Sequence, residues 1–448
     1  MALTINFTNS TSLSSDDVYV SFAVPMGPNS TPLNKLSEFD ITYGSANTQV
    51  TFADKKNMMS VPISLTDIGT AGLTVNYAQS VAVFVSYGAK LTSTTASPVF
   101  VGGGTDYYTQ YQTFEITMMG GDGDQGNMTA INYFTAPMSI TSYAGSTVLQ
   151  STGYTKTANE IVTELGALTT GANVLDKGVL IRSVGPSSYT SNNPWPSFAD
   201  YLAAMHSAGQ VTTFANQNGF VKTVTVDKQP QKQNTIYRFN MSSTVNSDNS
   251  ITTSSGTVTV TNATTGTTLA TIDDCTMKVS SSSQSEMDQL IYGQAPYTSP
   301  LITWGSGWAK VAAQMKTEFD DAKGDGPATG YFNTLQATAI GEITSGFLMG
   351  MVGSDVVPTG QTKMIKDMQS SDWWVLNPII AFNQVQPNNA YYNTYANVIY
   401  GASGNSSYSI PYSDRLGSGP LVNTVKYNQS DVTSWTVTLD PPISLASG

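Results

Sequence analysis

One cysteine and one histidine in 448 residues set the first limits on what this chain can do. Cys275 has no intrachain partner, which excludes a disulfide framework and a cysteine-rich metal site and leaves the redox compartment unreadable. His206 is the sole imidazole, so a Ser-His-Asp or Cys-His arrangement has a single candidate base. Its place near the end of an expected helix, close to a glycine, suits a structural side chain better. Charge is scarce as well: Asp, Glu, Lys and Arg make up 11% of the residues, against about a quarter in ordinary domains. Nineteen basic and 31 acidic residues give a net charge of -12, which repels polyanions and argues against nucleic acid as a partner. No apolar run approaches the length of a membrane span. The opening MALTINFTNS enters strand-like alternation at once, without the basic and apolar regions of a secretory signal. The expectation is a cytoplasmic protein or one exported by a non-classical route, although the composition resembles that of extracellular proteins. No Gly-x-Ser-x-Gly elbow, Walker loop or phosphate-binding glycine fingerprint opens a helix.

What is present can build a core. Hydrophobic residues reach 40% and aromatic residues 10%, and Ser, Thr, Asn, Gln and Gly take the place of the missing charge. A neutral polymer such as a glycan suits 23 tyrosines, 6 tryptophans and many amides. From Thr4 to about Ile140, short β-prone runs alternate with turn residues: Leu3–Phe7, Val18–Val24, Gln49–Phe52, Ser60–Leu65, Ser80–Tyr87 and Thr113–Met118. That pattern predicts a mainly β sandwich or barrel. The hydrophobic period changes over 141–245, where Thr157-Ala158-Asn159-Glu160 forms a capping-box pattern and Ala158, Ile161, Val162 and Leu165 take helical spacing. With a second helix at Ser197–Ala208 and a buried strand at Gly178–Val184, this segment reads as a smaller α/β insertion lobe flanking a groove. The region 246–448 is expected to complete the β core, with a hairpin of Thr257–Val260 and Thr268–Ile272 and helices at 307–322 and 337–352.

Candidate chemistry narrows by elimination. The loop Asp122-Gly123-Asp124-Gln125-Gly126-Asn127 resembles a calcium loop, but the EF-hand spacing puts Asn127 where Gly is required and Tyr133 where Glu is required. A polar hairpin tip is the better reading, and no metal or cofactor is expected. Carboxylates remain for acid–base work, and glycosidic hydrolysis is the common reaction that needs only two of them.

The segment Thr113-Phe114-Glu115-Ile116-Thr117, followed by Asn127-Met128-Thr129-Ala130-Ile131-Asn132-Tyr133-Phe134-Thr135-Ala136-Pro137-Met138, resembles the acid-bearing hairpin of glycoside hydrolase family 64 and, more distantly, of thaumatin-like proteins. Their pattern is a Phe-Glu-Phe-Thr-like strand, a variable loop, Val-Asp-aromatic and a Leu-Pro-Met-like ending. Ser14–Val20 and Val83–Leu91 resemble family strands, and Gln386–Ala396 with Ser407–Arg415 resembles the closing segment; the likeness around Val179–Gly185 is weak. The resemblance implies a thaumatin-like β core, β-1,3-glucan or another neutral polysaccharide as partner, and an inverting endo-β-1,3-glucanase mechanism.

Strand alternation turns Glu115 away from Phe114 and Ile116 toward the cleft side, and the resemblance makes it the general acid. The family's second carboxylate falls on Asn132, 17 positions later, and an amide cannot take the proton of an attacking water. Asp106, Asp122 or Asp124 substitutes only if the hairpin sets one across from Glu115, about 6.5–9.5 Å away in an inverting enzyme. Tyr107, Trp195, Trp373, Trp374, Tyr408 and Asp414 are the candidate ligand-facing residues. The tryptophans serve equally as core, and an ion pair with Arg415 that fixes the last loop is the better reading of Asp414. Three functions follow: a glucan-recognising protein with weakened or lost hydrolysis, an active glucanase with a displaced base, and a non-catalytic, self-associating structural or surface protein.

Overall fold

The computed structural model describes the chain outside residues 1, 25–38, 54–57, 95–97, 99–102, 105, 208–210, 216–234, 263–264, 282, 294–300, 320–338, 374–391, 412–419 and 444–448. It is mainly β and divides into two units: Met1–Ser188 with Tyr395–Ser409 and Gly419–Gly448, and Tyr189–Thr394 with Ile410–Ser418.

The first unit contains β1 (Leu3–Asn9), β2 (Val18–Ala23), β3 (Phe39–Tyr43), β4 (Thr48–Gln49), β5 (Ile63–Ser64), β6 (Leu73–Tyr87), β7 (Gln110–Met118), β8 (Gln125–Thr129), β9 (Tyr133–Phe134), β10 (Met138–Ala144), β11 (Thr147–Gly153), β12 (Asn173–Asp176) and β13 (Val179–Val184). The chain returns to it with Ser407–Tyr408, Val422–Asn423 and Ser434–Leu439. Period-two alternation explains most of these strands. In β1, Leu3 and Ile5 are buried while Thr4 and Asn6 are not.

The 15-residue strand β6 serves two layers. Its first half pairs with β1 on one side and β3 on the other, with Val75 opposite both Leu3 and Ile41. Its second half pairs with β2 and β7, placing Val85 opposite Val20 and Val83 opposite Phe114. Between the halves the register slips at Gln79–Ser80, Ser80 has φ +50°, and its N–H donates to Thr117 Oγ1 at 3.2 Å. A bulge there sharpens the twist and lets one strand pass from layer to layer. Beyond β1 the first layer continues through Ser434–Leu439, which runs parallel to β1, to β10 and β11. Beyond β7 the second continues through β8 to Ser407–Tyr408 and Val422–Asn423. Leu3, Val75, Ile140 and Val437 of one layer and Val20, Val83, Phe114 and Met128 of the other bury together around Trp435. Each such side chain contributes about 1.5–3 kcal/mol by leaving water.

The second unit carries a sheet in the order Val211–Ala215, Thr235–Val245, Ile251–Asn262, Met277–Val279, Ile302–Trp304, with Thr268–Ile272 also pairing Ile251–Asn262. The pairing of Val258 with Ile272 and of Thr261 with Thr268 is the hairpin expected from sequence. Helices Ala199–Ser207, Gln284–Ile291 and Gly307–Phe319, together with residues 339–348, accompany the sheet. Phe198 meets Tyr292 and Phe347 edge-on at 5.2 and 6.3 Å. His206 Nδ1–H donates to the Val245 carbonyl at 3.1 Å, a structural task for the sole imidazole.

The division differs from the boundaries expected at 141 and 246. Residues 138–153 form β10 and β11 and extend the sheet of the first unit, and the second unit begins at Tyr189. β11 has no buried residue, so it offered no apolar period by which to recognise it. Of the segment 246–448, only Tyr395–Ser409 and Gly419–Gly448 return to the first unit. The helix Ala158–Leu168 starts as its sequence dictates, with Thr157 and Glu160 closing a reciprocal capping box.

Candidate functional site

β7 separates two chemistries by alternation. Phe114 and Ile116 enter the core at 0% and 1% exposure, so Tyr111, Thr113 and Glu115 face the other way. Glu115 is exposed and stands in register with Ala82 on β6 and Asn127 on β8. The Asn127 side-chain amide donates to Glu115 Oε2 at 3.3 Å. The adjacent row holds Phe84, Thr113 and Thr129.

After β8 the chain leaves this sheet. The Ala130 N–H donates to the Tyr408 carbonyl at 2.8 Å, and β9 then pairs with β13 through Phe134–Ser183 and Tyr133–Val184. Asn132 sits at the crossing, exposed, and its carbonyl accepts from the Gly185 N–H and the Ser188 hydroxyl, each at 2.8 Å. Its Oδ1 lies 3.4 Å from the same hydroxyl. A Cβ at Gly185 would stand 2.5 Å from the Ile131 carbonyl oxygen and 3.0 Å from the Tyr395 ring, so only glycine permits this approach. Tyr133, the next residue, shares a short hydroxyl–hydroxyl contact of 2.5 Å with Thr113. Tyr133, and not Asn132 itself, is thereby joined to the face of β7 that carries Glu115.

Arg182 organises the same face. It is 0% exposed, and its guanidinium lies 4.3 Å from the centre of the Tyr111 ring and 5.7 Å from that of Tyr133. Its Nη2 donates to the carbonyls of Tyr107, at 3.0 Å, and Thr109, while Nε and Nη1 have no partner among the described residues. Burial pushes the Tyr111 phenol up to about 12 against the lowering pull of Arg182. Tyr133 is likewise raised by burial, with the Tyr111 phenol adding to the effect.

The three aspartates have different tasks. Asp106, 2% exposed, accepts from the Thr92 N–H and hydroxyl at 2.8 and 2.9 Å and from the Ser93 N–H at 2.8 Å. Asp124, 6% exposed, takes the N–H groups of Met119, Gly120 and Gly121 on one oxygen. Both carboxylates anchor loops through these hydrogen bonds. The Asp124 contacts also explain the acidic loop as a hairpin tip. Asp122 stands at that tip, exposed, 3.9 Å from Lys426.

Among the candidate ligand-facing residues, Trp195 and Trp373 are 4% and 1% exposed, and the Trp373 indole donates to the Ile365 carbonyl at 3.0 Å. They are packing residues of the second unit and not open faces for a sugar. Tyr408, 7% exposed, lies in register with Thr129. Tyr107 is half-buried, with its ring edge-on to Tyr108 at 4.8 Å. Tyr108 is 53% exposed and is the more open of the two. Trp374 and Asp414, with Arg415, lie outside the described residues. Sequence reasoning passed over Arg182, Asn127, Ser188 and Tyr108. Arg182 had a signal, as the one cation in the apolar run Val179–Val184. No group of three metal-ligating side chains occurs among the described residues.

A mainly β unit with the exposed carboxylate of Glu115 on one sheet face, and a second unit of mixed α/β character, is the class of architecture defined here. No protein-family model and no curated protein matches the sequence. A solved laminaripentaose-producing β-1,3-glucanase in complex with laminaritetraose shares the fold, with a TM-score of 0.51, 13% identity and coverage of 98% of each chain. A family 64 β-1,3-glucanase domain from Clostridium beijerinckii aligns over 98% of each chain at 13% identity with a TM-score of 0.49. A family 64 laminaripentaose-producing enzyme from Paenibacillus barengoltzii, complexed with laminarihexaose, aligns over 98% of this chain and 75% of its own at 12% identity and a TM-score of 0.44.

Proposed function

We propose that this protein recognises β-1,3-glucan through the Glu115 face and hydrolyses it weakly or not at all. The observation that carries the reading is the amide of Asn127 beside Glu115 among the described residues; the sequence resemblance puts Asn132 where an inverting mechanism needs a second carboxylate. Asp106 and Asp124 are engaged by backbone N–H groups, so neither is free to receive a proton from water. The fold shared with a β-1,3-glucanase supports the polymer, and a net charge of -12 suits a neutral one. Asp122 alone of the three aspartates is untied from backbone, which keeps an active enzyme with a displaced base as the second reading.

Reducing-sugar release from laminarin, run beside retention on insoluble β-1,3-glucan, tests both. The native protein should bind and release sugar slowly, since removal of a positioned base costs ~10²–10⁴ in rate. Asn132→Asp should raise the rate, and Glu115→Gln in that background should abolish the gain. Brisk native hydrolysis that survives Asp122→Asn would overturn the account, and failure to bind glucan would remove the substrate.

A further inference from the structure

A cavity of about 420 Å³, which shares no lining residue with the Glu115 row, opens in the first unit among Pro137, Tyr154, Lys156, Asp440, Pro441 and Pro442 at the start of the helix Ala158–Leu168. Its polar groups are mostly engaged. Thr157 is closed in its capping box, the Thr155 hydroxyl donates to the Ala402 carbonyl at 3.0 Å, and Lys156 Nζ is 2.6 Å from Glu164. Asp440 differs. Its N–H reaches the Pro137 carbonyl at 3.3 Å, but no donor among the described residues reaches its half-buried carboxylate. Partial burial without donors raises its pKa above the ordinary carboxylate value. The Tyr87 phenol, buried and without a hydrogen-bond partner among the described residues, is raised by its own burial and then by the Asp440 charge.

We infer that this cavity is a second binding site, for a neutral polyhydroxylated ring such as one sugar unit of a glycan. The size fits a small ligand. A half-buried carboxylate to which the protein gives no donor can take hydroxyl donors from a ligand, each a charge-assisted hydrogen bond made in exchange for one to water. An anion would meet the Asp440 charge, and the lining cation Lys156 is already paired with Glu164. The three prolines and the Tyr154 ring supply the C–H and aromatic surfaces that lie against a pyranose face. The site is separate from the face on which the proposed function rests.

Amide chemical shifts of the full chain, followed while laminaribiose is added, test this. The amides of Thr155–Asn159 and of Asp440 should shift and saturate, with affinity falling about tenfold or more in Asp440→Ala. Asp440→Asn, close in size and retaining one acceptor, should fall in between and guards against simple misfolding. Silence of these amides at millimolar laminaribiose would overturn the inference, as would an equal response in Asp440→Ala. A response to methylammonium alone would replace the sugar with a cation and overturn it too. Shifts at Glu115 and Asn127 report the other face independently, so failure of one site is distinguishable from failure of the other.

Discussion

Gly126 on β8 offers a direct test of how tightly the Glu115 face is built. A Cβ at this position would lie 2.3 Å from the Glu115 carbonyl oxygen and 2.6 Å from Cη2 of Trp435. Ordinary contact begins near 3.4 Å, so Gly126→Ala requires β7 and β8 to part by roughly 1 Å or the indole to move. The indole is confined, at 0% exposure and with its Nε1–H donated to the Asn423 carbonyl at 2.9 Å. Overpacking of this kind costs about 1–3 kcal/mol, which for a unit of this size lowers the melting temperature by about 2–12 °C. The displaced atom belongs to Glu115 itself, so the contact with Asn127 and any glucan binding at that face should weaken together. Calorimetry read beside laminarin retention gives both quantities. Gly123→Ala is the control, since nothing lies within 4 Å of its Cβ. A Gly126→Ala protein that melts and binds like the Gly123→Ala protein would refute the close packing of β8 on β7 and Trp435.

Arg182→Ala should destabilise the first unit by about 3–5 kcal/mol, since it opens a cavity and leaves the Tyr107 and Thr109 carbonyls without their donor. Arg182→Met, which fills the space, should cost less, and hydrogen exchange of the β7 amides would separate the two; equal costs would show that packing is irrelevant there. The Glu160 carboxyl is held below its usual value, first by the Thr157 N–H and then by its hydroxyl. Its folded value lies below its unfolded one, so its contribution is complete above the unfolded carboxylate range and disappears as pH falls through the folded value. Between about pH 5 and pH 2 the stability curve of Glu160→Gln should therefore be flatter than that of the native protein, as urea midpoints across that range would reveal.

Much of this architecture follows from local pattern. Alternation in Thr113–Thr117 is enough to turn Glu115 from the core, and the Thr157–Glu160 spacing is enough to start a helix there. What local pattern could not supply is the identity of neighbours from distant segments. Asp106 and Asp124 look like free carboxylates until the loops that fold over them present their N–H groups. Trp195 and Trp373 look like sugar platforms until their own unit covers them. The boundary at Tyr189 was hidden because polar β11 carries no apolar stripe. Arg182 gathers residues from two separate stretches, 107–111 and Tyr133, and only its setting in an apolar run hinted at that role.

The parallel pairing of Thr4 with Ser434, continued to Asn9 with Leu439, imposes a schedule on the growing chain. At about 5–20 residues per second, roughly 20–90 s separate the appearance of β1 on the ribosome from that of its partner. Throughout that interval one backbone edge of β1 has no mate, and an unmated edge is a template for pairing with other nascent chains. Residues 189–394 and 410–418 are synthesised within the same interval, so the second unit can mature before the first is complete. Chaperone depletion should accordingly trap chains whose second unit is protected from proteolysis while β1 is still cleavable.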